Sequence, residues 1–352
     1  MSHGNVFKPI FLVALVLCFA SLMHSQTPNA KQPAKEKIRI GWSIGNMNLE
    51  RWQADSEAFQ GRAKALGAEV IVKDAEGDTK RLVSQTKELL SSGIQVLVII
   101  GADPTSETEI VSAAKARNVR VISYEGSVAG SEDLYIVTDF SQIGRSQAAT
   151  LTDLAPAGNY AILAGPASES KGFHDPQLEV LQPFLKDGRI KLAADIAAKD
   201  WSASEAYVNM TRVLEANHDN ITAVIATNDS IASGAIQALE EHGLAGKVLV
   251  SGQDADLSAI VRVLMGTQTM TVYKPFAPQA RVAAEAAVSL AKGEPVKTNG
   301  EYKADKMNVP TIYFAPVVVT KNNVKETVIK DGFQTIEEIK RGLPQDKWAL
   351  IE

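Results

Sequence analysis

Two stretches of the sequence end apolar runs on charged side chains. Ser251-Gly-Gln-Asp-Ala-Asp-Leu257 places Asp254 just after the run 248–251, and Thr267-Gln-Thr-Met-Thr-Val-Tyr-Lys-Pro275 places Lys274 directly after the run 269–273. Parallel strands gather such ends at one carboxyl edge, where open α/β folds bind ligands. There an ammonium can anchor a carboxylate while both still offer bonds to a polar ligand. Arg51-Trp52 follows the first apolar run. A guanidinium presents donors in a fixed fork suited to adjacent oxygens, and an indole can stack on an apolar face or merely staple a helix. Glu125 closes the run 119–124 and can accept from two hydroxyls, and Gly126 beside it permits a tight turn or a close approach.

Two further stretches before helices carry polar or aromatic groups. Trp201 precedes a helix that Ser202 or Ser204 can cap, so it either stacks on a ligand or packs a small satellite core. In Ala226-Thr-Asn-Asp229, Asn228 has both donors and an acceptor to match a hydroxyl. Asp229 reads as the cap of the following helix, and Asp256 as the cap of the one after Asp254.

The chemistry these groups suit is binding. The sequence holds no Gly-x-Ser-x-Gly elbow, no His-Glu-x-x-His and no Walker-type Gly-Lys-Ser/Thr. Ile44-Gly-Asn and Leu163-Ala-Gly-Pro166 are too sparse for dinucleotide loops, so no cofactor is expected. Five scattered histidines and one cysteine give no metal-ligand set and no disulfide framework. A formal charge of -5 opposes nucleic-acid binding, which wants a clustered basic surface.

The elements that must position these residues alternate along the chain. Short runs rich in Val and Ile lie at 38–44, 69–72, 96–100, 119–124 and 134–137, then at 160–164, 223–226, 248–251 and 269–273. Several are apolar on both faces, as strands covered by helices on either side must be. Between them lie amphipathic stretches at 52–66, 80–90, 107–117, 204–216 and 231–242. This predicts an α/β protein of two doubly wound parallel-sheet lobes, and 352 residues suffice for two cores. The expected N-terminal lobe is 36–140 plus 275–311, the C-terminal lobe is 141–274 plus 312–341, and 342–352 is an extension that packs around Trp348.

The N-terminus indicates export. Lys8 precedes the apolar segment 10–20, which is short for a membrane span, and a polar stretch follows. A signal peptide over 1–25 and a periplasmic location are therefore expected. Cys18 follows bulky Leu17, a poor context for lipid tethering.

With these stretches in hand, residues 38–333 resemble exported sugar-binding proteins of the ribose-binding type, most like the D-xylose-binding components of bacterial uptake transporters. The likeness is carried by Leu49-Glu-Arg-Trp-Gln53, by 251–257, by 266–275 and by Thr327-Val-Ile-Lys-Asp-Gly-Phe333. It implies the type I periplasmic binding fold, with lobes joined by three crossings and a pyranose clamped between them. It also implies a monomer that delivers a xylose-like aldose to an ABC transporter permease, without catalysis. The alternative is a sensor whose sugar-bound closed form docks on a chemoreceptor or histidine kinase. Arg51 and Trp52 would contact the ligand from the first lobe, and Trp201, Asn228, Asp254 and Lys274 from the second, two indoles sandwiching the ring.

This chain departs from that pattern at two places. The family usually has Asp-Arg where Glu125-Gly126 stands, so one guanidinium is lost and the acid is one methylene longer. The stretch Gly165-Pro-Ala-Ser-Glu-Ser-Lys-Gly-Phe-His-Asp-Pro176 reads as a shortened loop, with His174 where relatives often carry an arginine. Glu169 and Lys171 would partly replace the lost contacts, and Gly126 would leave room for a different or larger sugar.

Overall fold

The Val- and Ile-rich runs form parallel strands, as their two-faced apolar pattern requires. A computed structural model describes residues 37–48, 50–303 and 308–352. The expected signal peptide at 1–25, with Cys18, lies outside the described residues. The chain begins β1 (Arg39–Ile44), α1 (Glu50–Ala65), β2 (Glu69–Asp74), α2 (Thr79–Ser91), β3 (Val96–Ile100), α3 (Pro104–Lys115), β4 (Arg120–Tyr124) and β5 (Leu134–Thr138). It continues with α4 (Phe140–Leu154), β6 (Gly158–Ala164), α5 (Ala167–Lys186), β7 (Ile190–Ala197), α6 (Ala203–Ala216), β8 (Ala223–Ala226), α7 (Asp229–Glu241), β9 (Leu249–Val250), α8 (Leu257–Met265) and β10 (Thr271–Tyr273). It closes with α9 (Phe276–Ala291), β11 (Gly300–Lys303), β12 (Asn308–Phe314), β13 (Val317–Val319), a π-helical turn Lys325–Ile329, α10 (Ile336–Gly342) and a 3₁₀ segment Gln345–Leu350.

The first sheet has the order β11-β12-β5-β4-β3-β1-β2 and the second β7-β6-β8-β9, while β10 and β13 pair antiparallel on their own. In the first sheet β1 lies between β2 and β3, with Ile40 opposite both Val70 and Val96. α1 packs with α9 on one face of the sheet and α2 with α3 on the other, so the helices that follow the neighbouring strands β1 and β3 diverge and open a crevice at the carboxyl edge. The second sheet repeats the pattern around β6, which pairs with β7 on one side and β8 on the other. The chain passes between the lobes three times, after β5, after β10 and between β12 and β13.

Each sheet is buried because its strands have no polar face. Every residue of β3, β5 and β8 is buried, and Trp42 of β1 packs 4.4 Å from Phe59 and 5.6 Å from Tyr124 between ring centroids. Asp78, Asp103 and Asp139 start α2, α3 and α4, each accepting two backbone N–H bonds. Caps of this kind stabilise by about 1 kcal/mol each.

The structure departs from the expected elements at several points. Residues 167–176, read as a loop, form the first half of α5, which runs through Pro176 and Pro183. Each proline forfeits a helical bond, but Leu178, Leu181, Phe184 and Leu185 pack on Tyr160 and Ile162 and hold the helix down. The strands β7 and β11 were not expected. β12 and β13 are separate strands, because Ala315-Pro316 lies between them and proline has no N–H for the ladder. β12 pairs with β5 as far as Phe314, so the chain stays in the first sheet three residues beyond 311. In the C-terminal extension, Ile351 is fully buried with Ile339, Leu343 and Val328, and Trp348 packs against them.

Candidate functional site

The strand ends deliver their charged residues in two pairs. On the first lobe, Arg51 in the first turn of α1 lies 2.9 Å from Glu125 and 3.8 Å from Asp55 one turn along the helix. Its guanidinium is held between two aromatic faces, with Trp52 and Phe276 each 4.1 Å from ring centroid to Cζ. On the second lobe, Lys274 Nζ lies 2.9 Å from Asp254 Oδ1, which also accepts a 2.6 Å bond from Gln253. Arg51, Trp52, Asp254, Lys274 and Phe276 line one cavity of about 540 Å³. Its far wall is Leu257, Phe333, Gln334 and Glu338.

Glu125 sits beneath this cavity and does not line it. Its side chain is 1% exposed, and its Oε1 accepts from the backbone N–H and hydroxyl of Thr138 and from Gln279 at 2.7 Å. Burial alone would push its carboxyl up. The charges of Arg51 and Lys274 and the bonds from Thr138 and Gln279 outweigh burial and bring it down to about 2. Asp55 goes the other way: burial, only partly offset by Arg51, and repulsion from Glu125 push it up to about 7. Neither Asp55 oxygen meets a donor at bonding geometry among the described residues. Asp254 is held below the usual carboxylate range, because Lys274 and Gln253 outweigh its burial. The two cations are thus matched by two carboxylates before any ligand arrives.

The other expected residues lie elsewhere. Trp201 packs among Ile143, Met270 and Val272 and is not part of the cavity's lining. Its ring comes within 2.4 Å of where a Cβ on residue 165 would sit, so only glycine fits there. Asn228, rather than Asp229, caps α7, its Oδ1 accepting from Ile231 N at 2.9 Å. Asp229 is the first helical residue and is buried. Asp256 stands at the start of α8 without a side-chain bond to the helix's N–H groups. Lys171 pairs with Asp175 and His174 with Asp195, around a separate hollow of about 370 Å³. The side chain of Glu169 lies outside the described residues. The room expected at Gly126 is narrow, since an added Cβ would meet Gly101 N at 3.3 Å.

Phe276, Phe333, Gln279 and Asp55 were missed. Only Asp55 carried a sequence signal, its i,i+4 spacing from Arg51 on one helix face. The aromatic pair could be found only from the fold, since Phe276 and Phe333 meet at 5.4 Å although they stand 57 positions apart in the chain.

A site on strand ends between two doubly wound lobes, with every cation already paired, is the architecture of a solute-binding protein. A family model described as a periplasmic binding protein domain matches residues 40–295, and the chain belongs to that family. It is similar to the D-xylose-binding periplasmic protein of Haemophilus influenzae, 40% identical over 331 residues that cover 93% of this chain and 97% of the relative. The protein of that name from Escherichia coli is 39% identical over 330 residues, covering 93% and 98%. Among solved structures, a carbohydrate transporter solute binding protein from Chloroflexus aurantiacus in complex with D-glucose matches with a TM-score of 0.73 at 24% identity, covering 86% of this chain and 98% of that one. A solute binding protein from Actinobacillus succinogenes with bound D-allose gives 0.66 at 25% identity, covering 82% and 100%. The fold is that of the type I periplasmic binding proteins.

Proposed function

We propose that the chain is an exported solute-binding protein that captures a monosaccharide, a xylose-like aldose, and delivers it to an ABC transporter permease in the inner membrane. The observation that carries this reading is the convergence of Arg51 and Trp52 from the first lobe with Asp254 and Lys274 from the second on one cavity. Arg51 donates to ring or hydroxyl oxygens, Asp254 accepts from hydroxyls, and the aromatic walls cover the apolar faces of the sugar. Because the charges cancel in pairs, the site favours a neutral polyol over a sugar acid. Trp201 and Asn228, at the carboxyl edge of the second sheet, complete the contacts when the lobes close, and Glu125 acts through Arg51. The names of the similar proteins, both D-xylose-binding and periplasmic, support the same reading.

In this reading residues 1–25 are a signal peptide, 36–140 and 275–314 make the N-terminal lobe, and 141–274 and 317–341 make the C-terminal lobe. The protein works as a monomer in the periplasm and releases its ligand unchanged. Ligand that bridges the lobes stabilises the closed population by its differential affinity, and the closed form docks on the permease. The test is a thermal-shift screen against pentoses, hexoses, polyols and small glycosides. A ligand at a hundred times its Kd adds about 2.7 kcal/mol of stability, so D-xylose or a related aldose should raise the midpoint by several degrees. A midpoint that no sugar moves would refute the proposal.

A further inference from the structure

Asp254 enters the cavity from a backbone that its residue type disfavours. Its φ is 106° and that of Ala255 is 56°, conformations that non-glycine residues hold only where the surroundings over-determine them. Three successive N–H groups of this loop are tied down. Asp254 N donates to Val272 O at 2.9 Å, Ala255 N to Thr271 Oγ1 at 3.2 Å, and Asp256 N to Asp229 Oδ2 at 3.0 Å. Thr271 Oγ1 in turn donates to Asp229 Oδ2 at 2.9 Å, and Gln268 Nε2 donates to Asp229 Oδ1 at 2.8 Å. Arg262 fixes Gln268 through a 2.9 Å bond and the backbone carbonyl of Asp229 through one of 3.1 Å. The carboxylate is so close to the loop that a Cβ on residue 252 would lie 2.1 Å from Asp229 Oδ1, which only glycine avoids.

We propose that Asp229 is a positioning residue of the ligand site, fixing the strained loop that presents Asp254 and, through it, the Asp254–Lys274 pair. The ligand side of this inference rests on the sugar-binding reading; the positioning itself does not. Asp229 is 1% exposed and touches neither Lys274 nor the cavity, yet two of its bonds run to the loop and to β10, the strand that ends on Lys274. Burial, with the charges of Asp254 and Asp256, pushes Asp229 up to about 8 against its bonds from Gln268 and Thr271. An asparagine is likewise neutral and its one oxygen can still accept from Asp256 N and Thr271 Oγ1, the two bonds that reach the loop and β10, while the bond from Gln268 is given up.

The test is a carboxyl-carbon NMR titration of Asp254 in the ligand-free full chain. In Asp229→Ala, Asp254 should lose its fixed contact with Lys274 and its midpoint should rise toward the ordinary carboxylate range, while Asp229→Asn should restore the wild-type value. Thr271→Val, which removes a single hydroxyl, should move the midpoint the same way and decides the matter if Asp229→Ala does not fold. A midpoint unmoved in the folded variants overturns the proposal. D-xylose affinity supplies the second reading. Asp229→Ala should weaken it by about 10- to 100-fold, and by less than about threefold when Asp254→Asn is already present, since the effect runs through Asp254. Equal losses in both backgrounds would mean a general structural role and overturn the proposal. If the midpoint moves but wild-type protein binds no sugar, the positioning role stands and the ligand reading falls.

Discussion

Two carboxylates share one arginine in this site, and removing them singly and together should give losses that do not add. At an effective dielectric of about 20, Glu125 at 2.9 Å from Arg51 attracts it by roughly 6 kcal/mol and Asp55 at 3.8 Å by roughly 4. In the wild type Glu125 is the counterion, and its repulsion helps hold Asp55 up at about 7. Glu125→Gln relieves that repulsion, so Asp55 should fall toward the ordinary range, ionise at neutral pH and replace most of the lost attraction. We expect a loss of about 2 kcal/mol. Asp55→Asn should cost less than about 1 kcal/mol, because a neutral amide, which can still face Tyr124, replaces a carboxyl that is itself largely protonated. The double variant leaves a buried guanidinium uncompensated, which costs about 3–5 kcal/mol. Urea unfolding at pH 6, where Asp55 is still protonated in the wild type, measures all four proteins. There is also a pH signature. A folded pKa near 7, above an unfolded value near 4, means that the stability tied to Asp55 is fully present below about pH 4 and is lost as pH rises through about 7. Glu125→Gln should remove that part of the decline. Losses that simply add, or a decline that persists, would refute the shared-counterion reasoning.

Three further outcomes are expected. Glu107 is 1% exposed, and burial, countered by its bond from Ser123, with the charges of Glu132 and Asp103, pushes it up to about 8. Stability tied to it is therefore lost as pH rises from about 4.5 through 8, and Glu107→Gln should gain a few kcal/mol over wild type at pH 9 but little at pH 4; urea unfolding at the two pH values checks this. Gly126→Arg brings in the guanidinium usual in the family but presses on Gly101, so calorimetric titration should show a changed order of sugar affinities at a stability loss of about 1–2 kcal/mol. Ile351→Ala empties a fully buried position in the second lobe and should cost about 2–4 kcal/mol, read as a lower thermal midpoint.

The strands that were legible in the sequence are those with no solvent face. β1, β3 and β8 are buried almost throughout, so a short continuous apolar run identifies them. β7 is an edge strand whose pattern mixes exposed Lys191 with buried Ile190, and β11 has three exposed residues of four, so neither carries that signal. α5 was hidden by Gly172, Pro176 and Pro183, all helix breakers. Its packing against β6 overrides a local preference that the sequence states correctly. The site shows the same division. Arg51, Asp254 and Lys274 end strands or open a helix and were readable as such, whereas Phe276 and Phe333 are aromatic residues whose neighbours only the fold supplies. Asn228 and Asp229 were exchanged because either type can cap a helix. The choice is settled by Gln268 and Thr271, some forty residues along the chain, which draw Asp229 into the interior.

Set against the aspartate that the sequence resemblance implies at this position, Glu125 is therefore more than a longer acid. The extra methylene lets the carboxylate reach Thr138 and Gln279 behind Arg51 rather than the cavity in front of it. Its burial is tolerable only because those donors and the guanidinium outweigh the cost of desolvation. In exchange, Arg51 is fixed from behind by the ion pair and from both faces by Trp52 and Phe276. Most of the ordering that a ligand would otherwise impose on a long flexible side chain is then already done, which favours affinity. With Gly126 offering no side chain, the proposed sugar site relies on Arg51 for the first lobe's polar contact and on Asp254 with Lys274 for the second's. Selectivity in such a site follows the spacing between one rigid fork and one strained loop, and so passes to the residues that hold them, Glu125 on one side and Asp229 on the other.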